Sequence, residues 1–361
     1  IFAVQDSISE RVAQALTLEL TGEEKKRLMK RYTENTEAYQ AYLKGRYFWN
    51  KRTDEGFKKA IGYFEQAIEI DPSYALAYAG LGDCYHLLAL YGLLPANESF
   101  PQAKAAVTKA LEIDATLAEA RASLAFIRLN YDWDWSGAEG EFKRALALNP
   151  NYATAHQWYG WQLMLMGRQE ESFAEMKRAQ QLDPFSLAIH TDLGLYFCYT
   201  GQYDRAIEQF RKTLEMEPNL KQVHAYLWSV YVRKGMYKEA LDEAEKALTS
   251  STTTTSGMIA ARRNELAELR EAYAVSGIKG YWQKGIELEK ERAKRERTAI
   301  IPGNMASYYA NLGDKDQALQ WLEKAYQDRS NQMLYLKVDQ WDGCRSDPRF
   351  TDLMRRVGLS P

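Results

Sequence analysis

Pro150, Pro184 and Pro218 stand 34 residues apart, each closing an apolar, alanine-containing segment. A chain with such a period is built from copies of one unit that cannot bury its apolar face alone and must stack on its neighbours. Proline ends each copy for two reasons. It has no N–H for the helical ladder, and it pushes the residue before it out of helical geometry. Because an array grows by addition, the length of 361 residues sets no domain count.

Composition removes several classes of function. With 47 basic and 49 acidic residues the chain has no overall field to recruit nucleic acid or an anionic membrane. Its apolar stretches are broken by charges well short of the ~18 residues a spanning helix needs. The expected partner is therefore a protein or peptide, with no nucleic acid and no membrane insertion by this portion. Cys84, Cys198 and Cys344 are odd in number and widely spaced, which suits buried free thiols and a reducing compartment.

The units align on their small residues. The first places Leu43, Gly45 and Phe48 on one helix and Ala60, Phe64 and Ala67 on the next, closed by Asp71-Pro72. The second carries Tyr78, Leu81, Gly82 and Tyr85, then Ala103, Val107 and Ala110. The third runs from Leu124 and Ala125 to Ala138, Phe142 and Ala145, the fourth from Tyr159 and Gly160 to Ser172, Met176 and Ala179. The fifth is the most regular, with Leu193, Gly194, Phe197, Gly201, Ala206, Phe210 and Thr213, and the sixth holds Leu227, Tyr231, Gly235, Ala240 and Ala244. Glycine inside a helix costs about 1 kcal/mol against alanine, so its recurrence marks helices that cross closely.

This pattern resembles the tetratricopeptide repeat family. The resemblance implies an all-α, right-handed α-solenoid of helix-turn-helix repeats with a C-terminal helical cap. Residues 1–30 are expected to be the helical tail of an upstream segment, since Ile1, Val4, Ile8, Val12 and Leu16 form an apolar stripe. Units 1–6 then occupy 31–249, a Ser/Thr linker 250–257, weaker units 7–8 258–330, and the cap 331–361. Regularity fails at three places: an insertion around Tyr91–Asn97, Trp228 where earlier units have glycine, and the linker.

His156, His190 and His224 also repeat at 34. Packed helix axes lie about 8–10 Å apart, so equivalent side chains of successive units cannot share one zinc ion at ~2 Å. They are expected to pack, with no metal and no cofactor. Asp132-Trp133-Asp134-Trp135 sits at the turn of the third unit and reads as two rings packed inward and two carboxylates solvated. No phosphate-binding, dinucleotide, metalloprotease or nucleophile-elbow motif is present, so the expectation is a protein without catalytic residues.

In tetratricopeptide arrays one side of each first helix lines the concave face. Carried onto this sequence, the groove comprises Tyr39, Tyr42, Arg46, Trp49, Asp83, His86, Phe126, Asn130, Gln157, Trp161, Met164, Leu195, Tyr199 and Arg233. This lining is aromatic and apolar, and its two arginines are far apart in sequence, which disfavours a clamp for a terminal carboxylate. It suits an apolar peptide or protein segment anchored by aromatic contacts. Two alternatives stay open: the groove holds an apolar small molecule as a sensor, or its rings only pack against neighbouring repeats.

Three further stretches, Leu43–Asn50, Tyr131–Trp135 and Ser346–Phe350, resemble a bacterial subgroup. In it the repeats form the C-terminal part of multidomain signalling proteins, after a winged-helix, Ser/Thr kinase or cyclase domain, often with a TolB-like segment between. The resemblance implies a scaffold or sensory module in signal transduction or transcription regulation. Its compartment follows that of the parent: cytoplasmic, or extracytoplasmic if the parent is anchored in a membrane.

Overall fold

The structure is a computed structural model that describes residues 32–249, 256–296, 300–338 and 341–359. The helical tail expected over residues 1–30, and residues 250–255 of the Ser/Thr segment, lie outside the described residues. Among the described residues there are sixteen α-helices and no strand. In chain order they are α1 (Thr36–Asn50), α2 (Asp54–Ile70), α3 (Ala75–Leu90), α4 (Ala96–Ile113), α5 (Ala118–Ile127), α6 (Trp135–Leu148), α7 (Ala153–Leu165) and α8 (Gln169–Leu182). There follow α9 (Leu187–Tyr199), α10 (Tyr203–Met216), α11 (Lys221–Arg233), α12 (Tyr237–Thr249), α13 (Ser256–Glu296), α14 (Pro302–Leu312), α15 (Lys315–Gln327) and α16 (Pro348–Arg356). A π-helical turn, Arg128–Asp132, follows α5, and a 3-10 helix, Asn331–Tyr335, follows α15. This is an α-solenoid of helical repeats. Among the described residues no helix is long and apolar enough to cross a membrane.

Successive helices pack as pairs: α1 on α2, α3 on α4, α7 on α8, α9 on α10, α11 on α12 and α14 on α15. The seventh pair is the two arms of α13, which breaks at Gly277 with φ of +60°, a backbone conformation that glycine adopts without a steric penalty. Glu265 on the first arm is held by Arg292 at 2.7 Å and Arg295 at 2.5 Å on the second. Where Gly45 crosses, a Cβ would lie 2.6 Å from the Phe64 ring. Gly194 stands in the same relation to Phe210, so small and large residues of the two helices interlock. Trp228, in the position earlier units give to glycine, instead donates its indole N–H to Tyr281 Oη of the seventh pair at 3.1 Å.

The chain divides into two compact units. Unit 1 comprises residues up to 127 together with 143–150, and unit 2 comprises 128–142 and 151 onward. Unit 2 has a C-terminal closure. Its 3-10 helix packs on the π-helical turn that begins the unit, some two hundred positions earlier in the chain, and Met333, Leu334 and Leu336 are all but fully buried there. The α16 segment adds Phe350, Leu353 and Val357 to the same core.

Candidate partner-binding site

The histidine ladder proves to be a set of clasps. His156 Nδ1 lies 2.5 Å from Glu175, His190 Nδ1 3.0 Å from Gln209, and His224 Nδ1 2.6 Å from Glu243. Each partner is 19 residues on, on the second helix of the same pair. The other ring nitrogen of His190 and of His224 meets the carbonyl of the preceding closing proline, Pro184 at 2.9 Å and Pro218 at 3.3 Å. One imidazole thus ties the end of one unit to both helices of the next. The 34-residue period of the histidines is a period of structure.

In unit 1 the predicted residues meet around one carboxylate. Tyr39, Tyr42, Arg46 and Trp49 follow one another at helical steps along α1, Asp83 and His86 lie on α3, and Phe126 lies on α5. Asp83 is almost wholly buried. Its Oδ2 accepts from Arg46 at 3.3 Å, and its Oδ1 accepts from Ser123 Oγ at 2.5 Å and faces His86 Nε2 at 3.2 Å. The His86 ring packs on Phe126 at a tilt of 31° with centroids 4.5 Å apart. Burial pushes the His86 pKa down from the ordinary imidazole value, with the Asp83 carboxylate opposing it. Because the carboxylate rather than the imidazole accepts the serine proton, the trio lacks the order of a serine nucleophile and its base. Its chemistry is that of a buried polar network joining three helices.

Next to this network Trp49 is held between two guanidinium groups, Arg46 at 4.0 Å and Arg52 at 3.5 Å from its ring. Arg52 lies in the turn after α1. Tyr42 packs on Tyr74 and Phe64, and burial pushes its phenol up to about 12. Sequence reasoning missed both Ser123 and Arg52. Serine at a helix crossing looks like any small residue, and a turn arginine carries no period. An open polar cleft of about 490 Å³ lined by Tyr32, Thr33, Glu34, Asn35, Ile70, Asp71 and Ser73 also lies in this unit and contains none of the predicted groove residues.

In unit 2 the predicted residues form an aromatic face, and the chain's own C-terminal segment sits on it. Trp161 on α7 and Tyr199 on α9 meet edge-on at 6.1 Å. Tyr335 contacts both, 6.0 Å from Trp161 and 5.1 Å from Tyr199, and the Arg233 guanidinium lies 5.3 Å from the Tyr199 ring. Met164 and Leu195 are buried, as is Asn130 in the π-helical turn, and Gln157 donates to Asp192 at 2.7 Å. Among all fourteen predicted groove residues none is exposed. Nine are buried, and Tyr39, Tyr42, Arg46, Tyr199 and Arg233 are half-buried.

The Asp-Trp-Asp-Trp turn receives the other end of that segment. Trp133 packs on Tyr326 with centroids 5.1 Å apart and carries the Arg329 guanidinium at 4.5 Å, while Arg329 donates to the Tyr131 carbonyl at 2.8 Å. Trp135 donates its indole N–H to the Val357 carbonyl at 2.6 Å and lies against Gly358. Both rings are inward. Asp132 is exposed, and Asp134 caps α6 through the Gly137 N–H at 2.9 Å.

Comparison with known proteins agrees with the helical-repeat fold. Tetratricopeptide repeat models match residues 191–253 and 303–327. The chain carries tetratricopeptide repeats. Over 131 residues it is 28% identical to the transcriptional regulator HilA of Salmonella typhimurium and equally to that of Salmonella typhi. That stretch is 36% of this chain and 24% of HilA, so the match spans about a quarter of these relatives. The homology is weak and fits the resemblance to multidomain regulators. Among solved structures, the human IFIT1 dimer with PPP-AAAA is 17% identical, with 88% of this chain and 76% of that one covered and a TM-score of 0.52. At that identity the likeness concerns the fold alone. Repeats of this kind support a protein-interaction module.

Proposed function

We propose that this chain is the noncatalytic partner-binding region of a bacterial regulator, taking a peptide or protein segment against the faces formed by its first helices. One observation carries the reading: the aromatic face of unit 2 accommodates Tyr335 against both Trp161 and Tyr199 in this structure. A surface that takes an aromatic side chain from a non-neighbouring segment has the chemistry to take one from a partner, since aromatic anchors in desolvated pockets supply most interface energy. The weak homology to HilA, a transcriptional regulator, supports placing the module in a regulatory protein. The groups that resemble catalytic ones support the noncatalytic part. Asp83, His86 and Ser123 bond within one network, and the repeating histidines clasp adjacent helices.

The test begins with a photoreactive phenylalanine analogue at position 39 of the full-length protein, to identify what it captures. The affinity of that purified partner is then measured for the native protein, Tyr39→Ala, Arg46→Ala and the control Lys58→Ala. Lys58 is exposed on the second helix of the pair. A loss of at least about tenfold in the face variants at unchanged helicity, with the control unaffected, is expected. Unchanged affinity in both face variants would remove the reading. Trp161 and Tyr199 are poorer first choices because substituting them also releases Tyr335.

A further inference from the structure

The segment lying on the unit 2 face is short, irregular and separately anchored. It forms a single 3-10 turn, begins with the Ser330 side chain capping Gln332 N–H, and ends with Arg345 donating to the carbonyls of Leu336 at 3.4 Å and Lys337 at 3.1 Å. Its apolar side chains Met333, Leu334 and Leu336 enter the core, while Tyr335 reaches Trp161 and Tyr199 and remains half-buried. Ahead of it, Arg329 holds the π-helical turn from the exposed side.

We infer that the turn Met333–Leu336 is a built-in occupant of the partner-binding face of unit 2, and that the partner segment competing for this face is itself an apolar turn with an aromatic residue between aliphatic ones. The inference rests on the interaction reading above and deepens it. Three observations carry it. The occupant contacts Trp161 and Tyr199 through an aromatic ring rather than through aliphatic packing alone, so the face selects that chemistry. The occupant belongs to the same chain, so its contact is intramolecular and competes with any external ligand without loss by dilution. Arg233, 5.3 Å from the Tyr199 ring, stays half-buried and borders the same site. A partner therefore meets a face that is filled most of the time. Its apparent affinity is its intrinsic affinity reduced by the fraction of molecules in which the turn is released.

The experiment uses the full chain and a labelled synthetic peptide corresponding to residues 329–338, with binding followed by fluorescence anisotropy. Tyr335→Ala weakens the resident turn and leaves the face intact. The peptide is expected to bind this variant at least about tenfold more tightly than the native protein. Adding Trp161→Ala to Tyr335→Ala should abolish that gain. Equal binding to the native protein and Tyr335→Ala, or a gain that survives Trp161→Ala, would overturn the inference. Should Tyr335→Ala lose helical ellipticity, Arg329→Ala replaces it. That change releases the anchor at the Tyr131 carbonyl without removing a buried side chain, and the same two outcomes decide. The partner measurements at Tyr39 and Arg46 use unit 1, so failure of the peptide experiment leaves the interaction reading standing, and failure of those measurements removes it independently.

Discussion

Unit 1 and unit 2 are both built of paired helices and treat their first-helix faces in opposite ways. In unit 1 the face residues bond to one another: Asp83 gathers Arg46, His86 and Ser123, and Trp49 lies between Arg46 and Arg52. In unit 2 the face centres on Trp161, Met164, Leu195 and Tyr199, and a distant part of the chain, through Tyr335, covers Trp161 and Tyr199. Contacts in a repeat array are normally confined to neighbours, so its stability is close to a sum of local terms. Unit 1 follows that rule. The closure from Trp135 to Val357, and from Tyr131 to Arg329, gives unit 2 contacts between its two sequence ends. Its parts should consequently unfold together, where an open array frays from its ends.

The largest expected effect breaks that closure. Trp135→Ala removes a buried indole and its hydrogen bond to Val357, at a cost of about 3–5 kcal/mol. Chemical denaturation should show unit 2 losing stability, with hydrogen exchange accelerating at both ends of the unit rather than at the substituted site alone. Exchange confined to α6 would mean that the two ends are not coupled.

The matching change in unit 1 is Asp83→Ala, which takes the buried carboxylate from Arg46 and His86 and leaves Ser123 the Glu119 carbonyl as its acceptor. A loss of about 3 kcal/mol is expected. Here exchange should rise in α1, α3 and α5 only. Gly45→Ala comes next, since the added Cβ would collide with the Phe64 ring, at about 1–3 kcal/mol of overpacking. Thermal melts would read it, and a neutral result would show that Phe64 can move aside.

The smallest effect is a pH dependence of unit 1. Burial depresses the His86 pKa in the fold, so below the ordinary imidazole value of about 6.5 the unfolded chain takes up a proton that the folded one does not. Stability from this group is therefore complete above that pH and falls as pH decreases toward the depressed folded value. The slope is at most about 1.4 kcal/mol per pH unit. Denaturation of the native protein and of His86→Phe between pH 5 and pH 8 (a range of about 1.5 units either side of 6.5) should differ in slope on the acid side. Parallel curves would contradict the assignment.

The repeat spacing made much of this architecture legible. A 34-residue period is a local property, and the residues expected at the crossings, Gly45 with Phe64 and Gly194 with Phe210, are the pairs that interlock. Packing of the histidines was legible for the same reason, although their hydrogen-bond partners were not, because Glu175, Gln209 and Glu243 look like ordinary surface residues. What periodicity could not show was the closure. Trp133 and Trp135 read as inward rings at a turn, yet nothing local names Tyr326, Arg329 or Val357 as what they meet. A clue existed in the resemblance: Tyr131–Trp135 and Ser346–Phe350 were two of its three stretches. The first and the segment around the second belong to the same closure. The fourteen groove positions were placed by family pattern, which says where a first-helix face lies and is silent on whether the chain itself covers it.

The central claim is that the C-terminal turn sits on the Trp161–Tyr199 face, and intramolecular crosslinking tests it most directly. With a photoreactive phenylalanine analogue at position 335, irradiation of the purified protein should join the 3-10 turn to peptides of α7 and α9 that contain Trp161 and Tyr199. Crosslinks to other helices, or none within the chain, would contradict it.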